Sequence, residues 1–294
     1  MIIKALSKTG KKVTKQIKEV EIICKIHDKT SGNIYLDKSL NFHKTMKSLF
    51  LFYADNKLIS ILSIFMPTEK EAEISAYTLP DYRQKGYFKK LLNDAIEELK
   101  KYKCVRLLLV CEPQSKDGKS VIKKLRARLD FTEYCLRFKG YTGSLDKKHF
   151  SQIRLHEADL SDLEAIAGLS RQIFNCNYKD SKSVISKSLK DGSRTQYIAI
   201  LDGNFIGIVA VSFDNDEASI FGLGISPQHQ GKGYGKELLN LILEDLKKKD
   251  IKNVFIEVDS TNKNAFNLYL KCGFEVETSY DYHRKYISNY NWLL

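Results

Sequence analysis

The chain has 294 residues, with 48 Lys and Arg against 36 Asp and Glu, a formal net charge of +12. An apolar fraction of 43% is enough to build cores, and the 29% of charged residues are interspersed rather than blocked. That balance excludes a disordered chain, a collagen and a disulfide scaffold, and the length suits one large domain or two ordinary ones. The opening stretch 1–8 gains charge too early for a signal peptide. No apolar run approaches the ~18–20 residues that span a membrane, so a soluble, cytoplasmic protein without membrane contact is expected.

Six cysteines (Cys24, Cys104, Cys111, Cys135, Cys176, Cys272) show no C-x-x-C spacing and read as buried, reduced thiols. The six histidines are scattered, with no pair at metal-ligand spacing, and no metal is expected.

In chain order, the first half shows a helical pattern and then β-like runs at 49–53, 58–65 and 72–79. A glycine-initiated helix follows, then an apolar strand at 105–110, a further helix and an extended run at 132–142. The second half repeats that order: a helix, strands at 197–201 and 205–213 joined by Asp202-Gly203-Asn204, a strand at 218–225, the glycine helix, a strand at 254–258, a helix and a run at 275–287. Residues 81–92 lie over 228–239 at an offset of 147, with Pro80 and Pro227 in register. The polar stretch 142–148 reads as a linker. The charge divides unequally. Residues 1–147 carry 30 basic against 17 acidic residues, a net of +13, whereas 148–294 carry 18 against 19, a net of −1.

Gln230-Gly231-Lys232-Gly233-Tyr234-Gly235 follows a strand and opens a helix. Glycines let backbone N–H groups approach a ligand, the helix N-terminus favours negative charge, and Lys232 and Lys236 add to it, so the turn reads as a pyrophosphate cradle. A Rossmann turn requires G-x-G-x-x-G, and a Walker loop requires Ser or Thr after Gly-Lys; neither pattern is met. A second constellation runs from Glu257 through Asn262, Ala265 and Tyr269 to Gly273-Phe274.

With both motifs in hand, the sequence resembles the GCN5-related N-acetyltransferase superfamily. The signature [QR]-x-x-G-x-[GA] is matched at Gln230, Gly233 and Gly235, and N-x-x-A-x-x-x-Y-x-x-x-G-F at Asn262, Ala265, Tyr269, Gly273 and Phe274. The glutamate twelve residues before the tyrosine is similar to the ribosomal-protein alanine N-terminal acetyltransferases. The resemblance implies an α/β (α+β) fold in tandem, as in mycothiol synthase-like members: two mixed, mostly antiparallel sheets flanked by helices. It divides the chain into a degenerate, non-catalytic domain at 1–146 and a catalytic domain at 151–294.

The implied reaction is direct transfer of acetyl from acetyl-CoA to a primary amine, on a small molecule or a protein N-terminus. The expected base is Glu257, since a charge inside the apolar run 254–258 is costly unless exposed at a site; Glu217 is its rival. Tyr269 is the expected acid. By resemblance, Asn262 hydrogen-bonds the coenzyme. The backbone of Leu223, Gly224 and Ile225 lines its pantetheine arm and polarises the carbonyl, and Gln230–Gly235 (Gly231, Lys232, Gly233 and Tyr234 included) hold the pyrophosphate. The acceptor loops are expected at 174–194 and 280–286.

In the first half, Arg83 and Gly86 persist but Phe88 replaces the last glycine. With Phe131 set against Phe274, Arg126 takes the tyrosine position, Asp130 the glycine, Ile122 the alanine and Lys119 the asparagine. The alternative reading is a coenzyme A-responsive binding protein whose basic first half holds an anionic partner or nucleic acid. The lack of a nucleic-acid module counts against it. Monomer and homodimer are both open.

Overall fold

A computed structural model describes residues 1–36, 38, 40–140 and 152–287. The linker expected at 142–148, and with it the boundaries at 146 and 151, lies outside the described residues. Two compact units emerge: Met1–Glu133 with Thr278–Leu294, and Tyr134–Glu277. The units therefore do not follow an equal division of the chain, because each takes its last strand from the other copy's stretch of sequence.

The N-terminal unit begins with β1 (Ile2–Leu6) and α1 (Lys11–Asp28), then β2 (Leu49–Ala54), β3 (Lys57–Phe65) and β4 (Glu71–Thr78). α2 (Tyr87–Lys101), β5 (Arg106–Cys111), α3 (Lys116–Leu125) and β6 (Arg128–Phe138) follow. The C-terminal unit contains β7 (Arg154–Glu157), α4 (Leu163–Phe174), α5 (Tyr178–Leu189), β8 (Arg194–Leu201), β9 (Asn204–Asp214) and β10 (Glu217–Ile225). It continues through α6 (Tyr234–Lys248), β11 (Asn253–Asp259), α7 (Lys263–Lys271) and the long β12 (Phe274–Tyr286), whose second part belongs to the N-terminal unit.

Within the N-terminal unit the strand order is β1-β2-β3-β4-β5-β12, and within the C-terminal unit it is β7-β8-β9-β10-β11-β6. Pairing is antiparallel along β1–β4 and β7–β10, and parallel at β4·β5 and β10·β11. The leading strands β1 and β7 are additions to the order read from sequence, since five and four residues carry too little alternation to register. The β2–β3 and β8–β9 hairpins close on Asp55-Asn56 and Asp202-Gly203, all four at positive φ, as two-residue turns matching strand twist require.

The repeat extends to packing. α2 buries Leu91, Leu92, Ala95, Ile96 and Leu99, and α6 buries Leu238, Leu239, Ile242, Leu243 and Leu246, the same stripe displaced by 147. In the C-terminal unit successive residues of β8 enter different cores, Tyr197 and Ala199 one and Ile198 and Ile200 the other, so the sheet is covered on both faces. The irregular stretch after α1 is pinned by buried carboxylates. Glu21 accepts from Ile34 N–H, Glu98 from Lys47 N–H, and Glu112 from Ser31 and Gly32 N–H. Charge-accepting side chains thus satisfy backbone donors that no ladder reaches.

Candidate active site

The two units can be superposed residue by residue at their parallel strand pairs. β10·β11 register runs from Glu217↔Asn253 to Ile220↔Ile256, and β4·β5 from Glu71↔Arg106 to Ile74↔Leu109. Beyond these pairs the strands part, leaving unpaired backbone edges that face each other. On β11, Val254, Ile256 and Val258 are buried and Glu257 is exposed, so Glu257 stands on the opposite face, one residue past the last pair. Glu217 lies at the other end of that ladder, roughly 13 Å away at ~3.3 Å per residue.

A feature missed in the sequence sits between Phe221 and Gly224. Three steps along β10 answer two along β9, a β-bulge, and Gly222 takes φ +60° there. β4 pairs with β3 without any such shift. The signal was available: the strand residues of the two copies align at an offset of 146, whereas the glycine turns align at 147, so the second copy has one extra residue between them. A Cβ on Gly224 would come within 2.3 Å of Ile173 Cγ2 and 3.0 Å of Phe174 Cζ, so the end of α4 packs directly on this backbone.

After β10, a single 3-10 turn at Pro227–His229 leads to Gln230, which is exposed and donates from Nε2 to Ile225 O at 2.9 Å. Gly231 and Gly233 take φ +74° and +90°, and nothing lies within 4 Å of a Cβ built on either, so the turn's backbone is unencumbered. Gly235 opens α6 with its Cβ position 3.5 Å from Leu268 of α7 and 3.9 Å from Ile225, which brings turn, strand and α7 together. Lys232 is exposed, as is Lys236, and Tyr234 is half-buried.

The N-terminal turn keeps this backbone. Gln84 and Gly86 take φ +60° and +80°, a 3-10 turn spans Pro80–Tyr82, and Arg83 Nε donates to Thr78 O at 2.9 Å, as Gln230 does to Ile225. A left-handed Gln is tolerated at roughly 1 kcal/mol. Arg83, however, is fully engaged, with both carboxylate oxygens of Asp28 at 2.7 Å and Asp117 at 2.8 Å. Burial works against the Asp28 charge, but hydrogen bonds from Arg83 and His27 overcome it and hold the carboxyl below its ordinary range.

α7 is capped by Asn262, whose Oδ1 accepts from Ala265 N–H at 3.1 Å. Its counterpart α3 is capped by Ser115, accepting from Gly118 N–H at 3.1 Å. These caps correct the register expected for the first half. The helices start at an offset of 147, so Ser115, Gly118 and Ile122 stand where Asn262, Ala265 and Tyr269 stand, and Arg126 at φ +50° takes the place of Gly273 at φ +88°. The same offset sets Val110 against Glu257. Setting Phe131 against Phe274 had shifted every position by four residues, because the N-terminal helix is longer and the strand after it begins differently.

Tyr269 is 5% exposed, its ring 6.2 Å from that of Phe274. Burial, with a smaller effect from Cys272, pushes its phenol up to about 12, so it stays protonated at neutral pH. The segment 280–286, expected as an acceptor loop, is instead strand: Asp281↔Cys111 through Tyr286↔Arg106 extend the N-terminal sheet. Most of 174–194 is α5. Among the described residues, no three His, Cys, Asp or Glu side chains group as a metal site, and no helix is long and apolar enough to cross a membrane.

Comparison with known proteins converges on one family. The profile of the acetyltransferase (GNAT) family matches residues 15–125 and again 163–274. The [ribosomal protein bS18]-alanine N-acetyltransferase of Haemophilus influenzae is 35% identical over 96 residues, which are 32% of this chain and 65% of that protein. The counterpart from Escherichia coli is 33% identical over 63 residues, 21% of this chain and 43% of that protein. The chain thus spans between about two-fifths and two-thirds of the length of these curated relatives. Among solved structures, a GCN5-related N-acetyltransferase from Sphaerobacter thermophilus aligns over 97% of this chain and 95% of its own, with TM-score 0.74 at 15% identity. A tandem GNAT protein from the clavulanic acid biosynthesis pathway covers 97% and 98%, with TM-score 0.68 at 13% identity. At such identities the likeness is one of fold.

Proposed function

The chain belongs to the acetyltransferase (GNAT) family; from that premise we propose that it is an acyltransferase whose C-terminal unit moves an acetyl group from acetyl-CoA to a primary amine. The N-terminal unit then has the fold without the reaction. One observation carries this reading: where the C-terminal unit has Glu257 and Tyr269, the N-terminal unit has Val110 and Ile122, which can neither accept nor donate a proton.

The thioester supplies an activated acyl carbon, and the protein must supply a neutral amine and a proton for the departing thiolate. Glu257, exposed beside the parting strands, takes the amine proton directly or through water. Tyr269, protonated at neutral pH, returns a proton to sulfur. The bulge leaves residues 222 and 223 without register partners on β9, which suits their backbone N–H groups to the carbonyl oxygen. The unencumbered turn, the N-terminus of α6 and Lys232 with Lys236 suit the diphosphate of coenzyme A. Asn262 reaches the coenzyme through its amide nitrogen, since its oxygen caps α7. Glu217 is disfavoured as base by its place at the far end of the ladder. The alanine N-acetyltransferase activity named for the Haemophilus influenzae relative supports an amine acceptor.

Free-thiol release from acetyl-CoA over an amine library tests the reading. Tyr269→Phe lowers kcat by about 10²-fold with coenzyme binding retained, and Glu257→Gln removes the acidic limb of the pH–rate profile. Unchanged turnover in Tyr269→Phe rules the assignment out.

A further inference from the structure

α1 needs only its inner stripe to join the core. Ile17, Val20, Glu21 and Cys24 are buried, and the opposite face looks outward. Isoleucines crowd the C-terminal half of that outer face, with Ile22, Ile23 and Ile26 at 56%, 47% and 75% exposure. A β-branched side chain loses rotamer freedom in a helix, so at an exposed position it helps neither the helix nor the core. The C-terminal unit supplies the control. α1 ends on Lys29 at φ +54° and α4 on Asn175 at φ +50°, an offset of 146. At that offset Gly168 and Gln172 stand where Ile22 and Ile26 do, so the fold does not call for isoleucine there.

α4 also has a companion that α1 lacks. α5 packs along it, with Ser181 Oγ donating to Ser170 Oγ at 2.8 Å and Tyr178 OH donating to Glu164. Among the described residues no helix stands between α1 and β2. An irregular stretch touches one flank of α1 instead, where Glu21 accepts from Ile34 N–H and Lys25 Nζ donates to Asn33 Oδ1. The outward stripe has the spacing of a helix seam. Lys12, Lys15, Glu19, Ile22 and Ile26 are all exposed and recur at steps of three, four, three and four, the interval at which one helix meets another. Lys11, Lys18 and Lys25, seven residues apart, follow one side of it. Over eighteen residues the face is ~27 Å long. Its charge has one sign. Residues 11–29 hold six lysines, and among them Glu19 is the one exposed acid, because Glu21 is buried and Asp28 is bound to Arg83.

That charge selects the occupant. Two copies of α1 would set lysine against lysine with no acid to answer it. An anionic membrane would answer the lysines, but it reads no seam, repels Glu19 and finds only three isoleucines at one end to take up. An acidic helix meets both halves of the face. We propose that the outward face of α1 docks an amphipathic helix of a partner protein, with carboxylates opposite Lys11, Lys12, Lys15 and Lys18 and leucine-like side chains against Ile22 and Ile26.

Fluorescence anisotropy on the full chain tests this. The probe is a labelled synthetic peptide of three heptads, with leucine at both seam positions and glutamate on both flanks. It binds saturably. Lys15→Glu weakens it about tenfold or more, as does Ile22→Ser combined with Ile26→Ser. All three positions are exposed, so neither variant threatens the fold. Leu160→Ser, at an exposed apolar position of the C-terminal unit, leaves the affinity unchanged. No binding of the peptide, or binding indifferent to both α1 variants, overturns the surface. A peptide with lysine in place of glutamate that binds as tightly overturns the acidic partner. Two further outcomes overturn the helix in favour of another occupant. One is flotation with phosphatidylglycerol vesicles that needs Ile22 and Ile26 while the peptide stays free, and the other is self-association in sedimentation with the same dependence. Tyr269→Phe binds the peptide as the unsubstituted chain does, which separates this inference from the transferase reading.

Discussion

The two units share a turn and differ in what surrounds it. Both hold a left-handed pair of residues before a fifteen-residue helix, and both tie the residue ahead of that pair to the end of the preceding strand. Around this common backbone, one unit carries a bulge, an exposed glutamate and a buried phenol, and the other a regular strand, a valine and an isoleucine. The lesson is that the glycine turn is first a device of folding. It starts a helix whose apolar stripe covers the sheet, so it outlives the loss of chemistry, and its presence alone says little about catalysis. The side chains at the parting of the strands say more.

The comparison can be broken most sharply at the bulge. Deleting Gly222 removes the one extra residue that β10 has over β4, and kcat falls by roughly 10²–10³-fold, the usual loss when a backbone donor to a developing oxyanion is displaced. Thiol-release kinetics with coenzyme affinity measured in parallel check this. Retained turnover would mean that the bulge serves packing alone. Next in size is Glu112→Ala, which leaves the Ser31 and Gly32 N–H groups without their buried acceptor. A loss of about 2–6 kcal/mol is expected, at roughly 1–3 per orphaned donor. Segment-resolved hydrogen exchange locates it in the N-terminal unit, with β8–β11 unaffected.

Acid separates the units more gently. Asp28 and Glu98 both titrate below their ordinary values in the folded N-terminal unit. For Glu98, burial raises the value, and the bonds from Lys101 and the Lys47 N–H more than reverse that. A carboxyl depressed in the folded state contributes stability above its unfolded value and loses it as pH falls through the folded one. Exchange protection in the N-terminal unit therefore declines from about pH 4.5 downward, before that of β8–β11, and Asp28→Asn narrows the gap. Smallest is the alkaline effect of Tyr269. Its value is raised, so its contribution is intact below about pH 10 and fades toward 12. Tyr269→Phe flattens that limb in the C-terminal unit.

Much of this was legible in the sequence, and the reasons are physical. The offset of 147, the meanders and both glycine turns are local patterns of hydrophobicity and turn chemistry, which neighbouring residues determine among themselves. Glu257 was legible because a charge interrupts an apolar run. The bulge was not seen, since one residue changes no periodicity. The Ser115 and Asn262 caps fix the register of the first copy, whereas a match of Phe131 to Phe274 puts Arg126 instead of Ile122 at the tyrosine position. The tie between Glu112 and the Ser31 and Gly32 N–H groups was invisible because it joins residues some 80 apart through a side chain and bare backbone. The destination of 280–286 depended on which of two similar strand edges it meets, a choice that alternation within one strand does not encode.

That last choice has a consequence for how the protein is made. Residues 281–286 pair with 106–111, so the edge of β5 in the N-terminal unit has no partner until residues 281–286 have left the ribosome. At ~5–20 residues per second of synthesis, some 170 residues separate the strand from its complement, a wait of roughly 10–30 seconds with an open, apolar edge. During that interval the nascent N-terminal half is exposed to edge pairing with other copies. A release cut back to residue 146 would keep that edge open for good, so the first copy is not a separable module, although it is translated first.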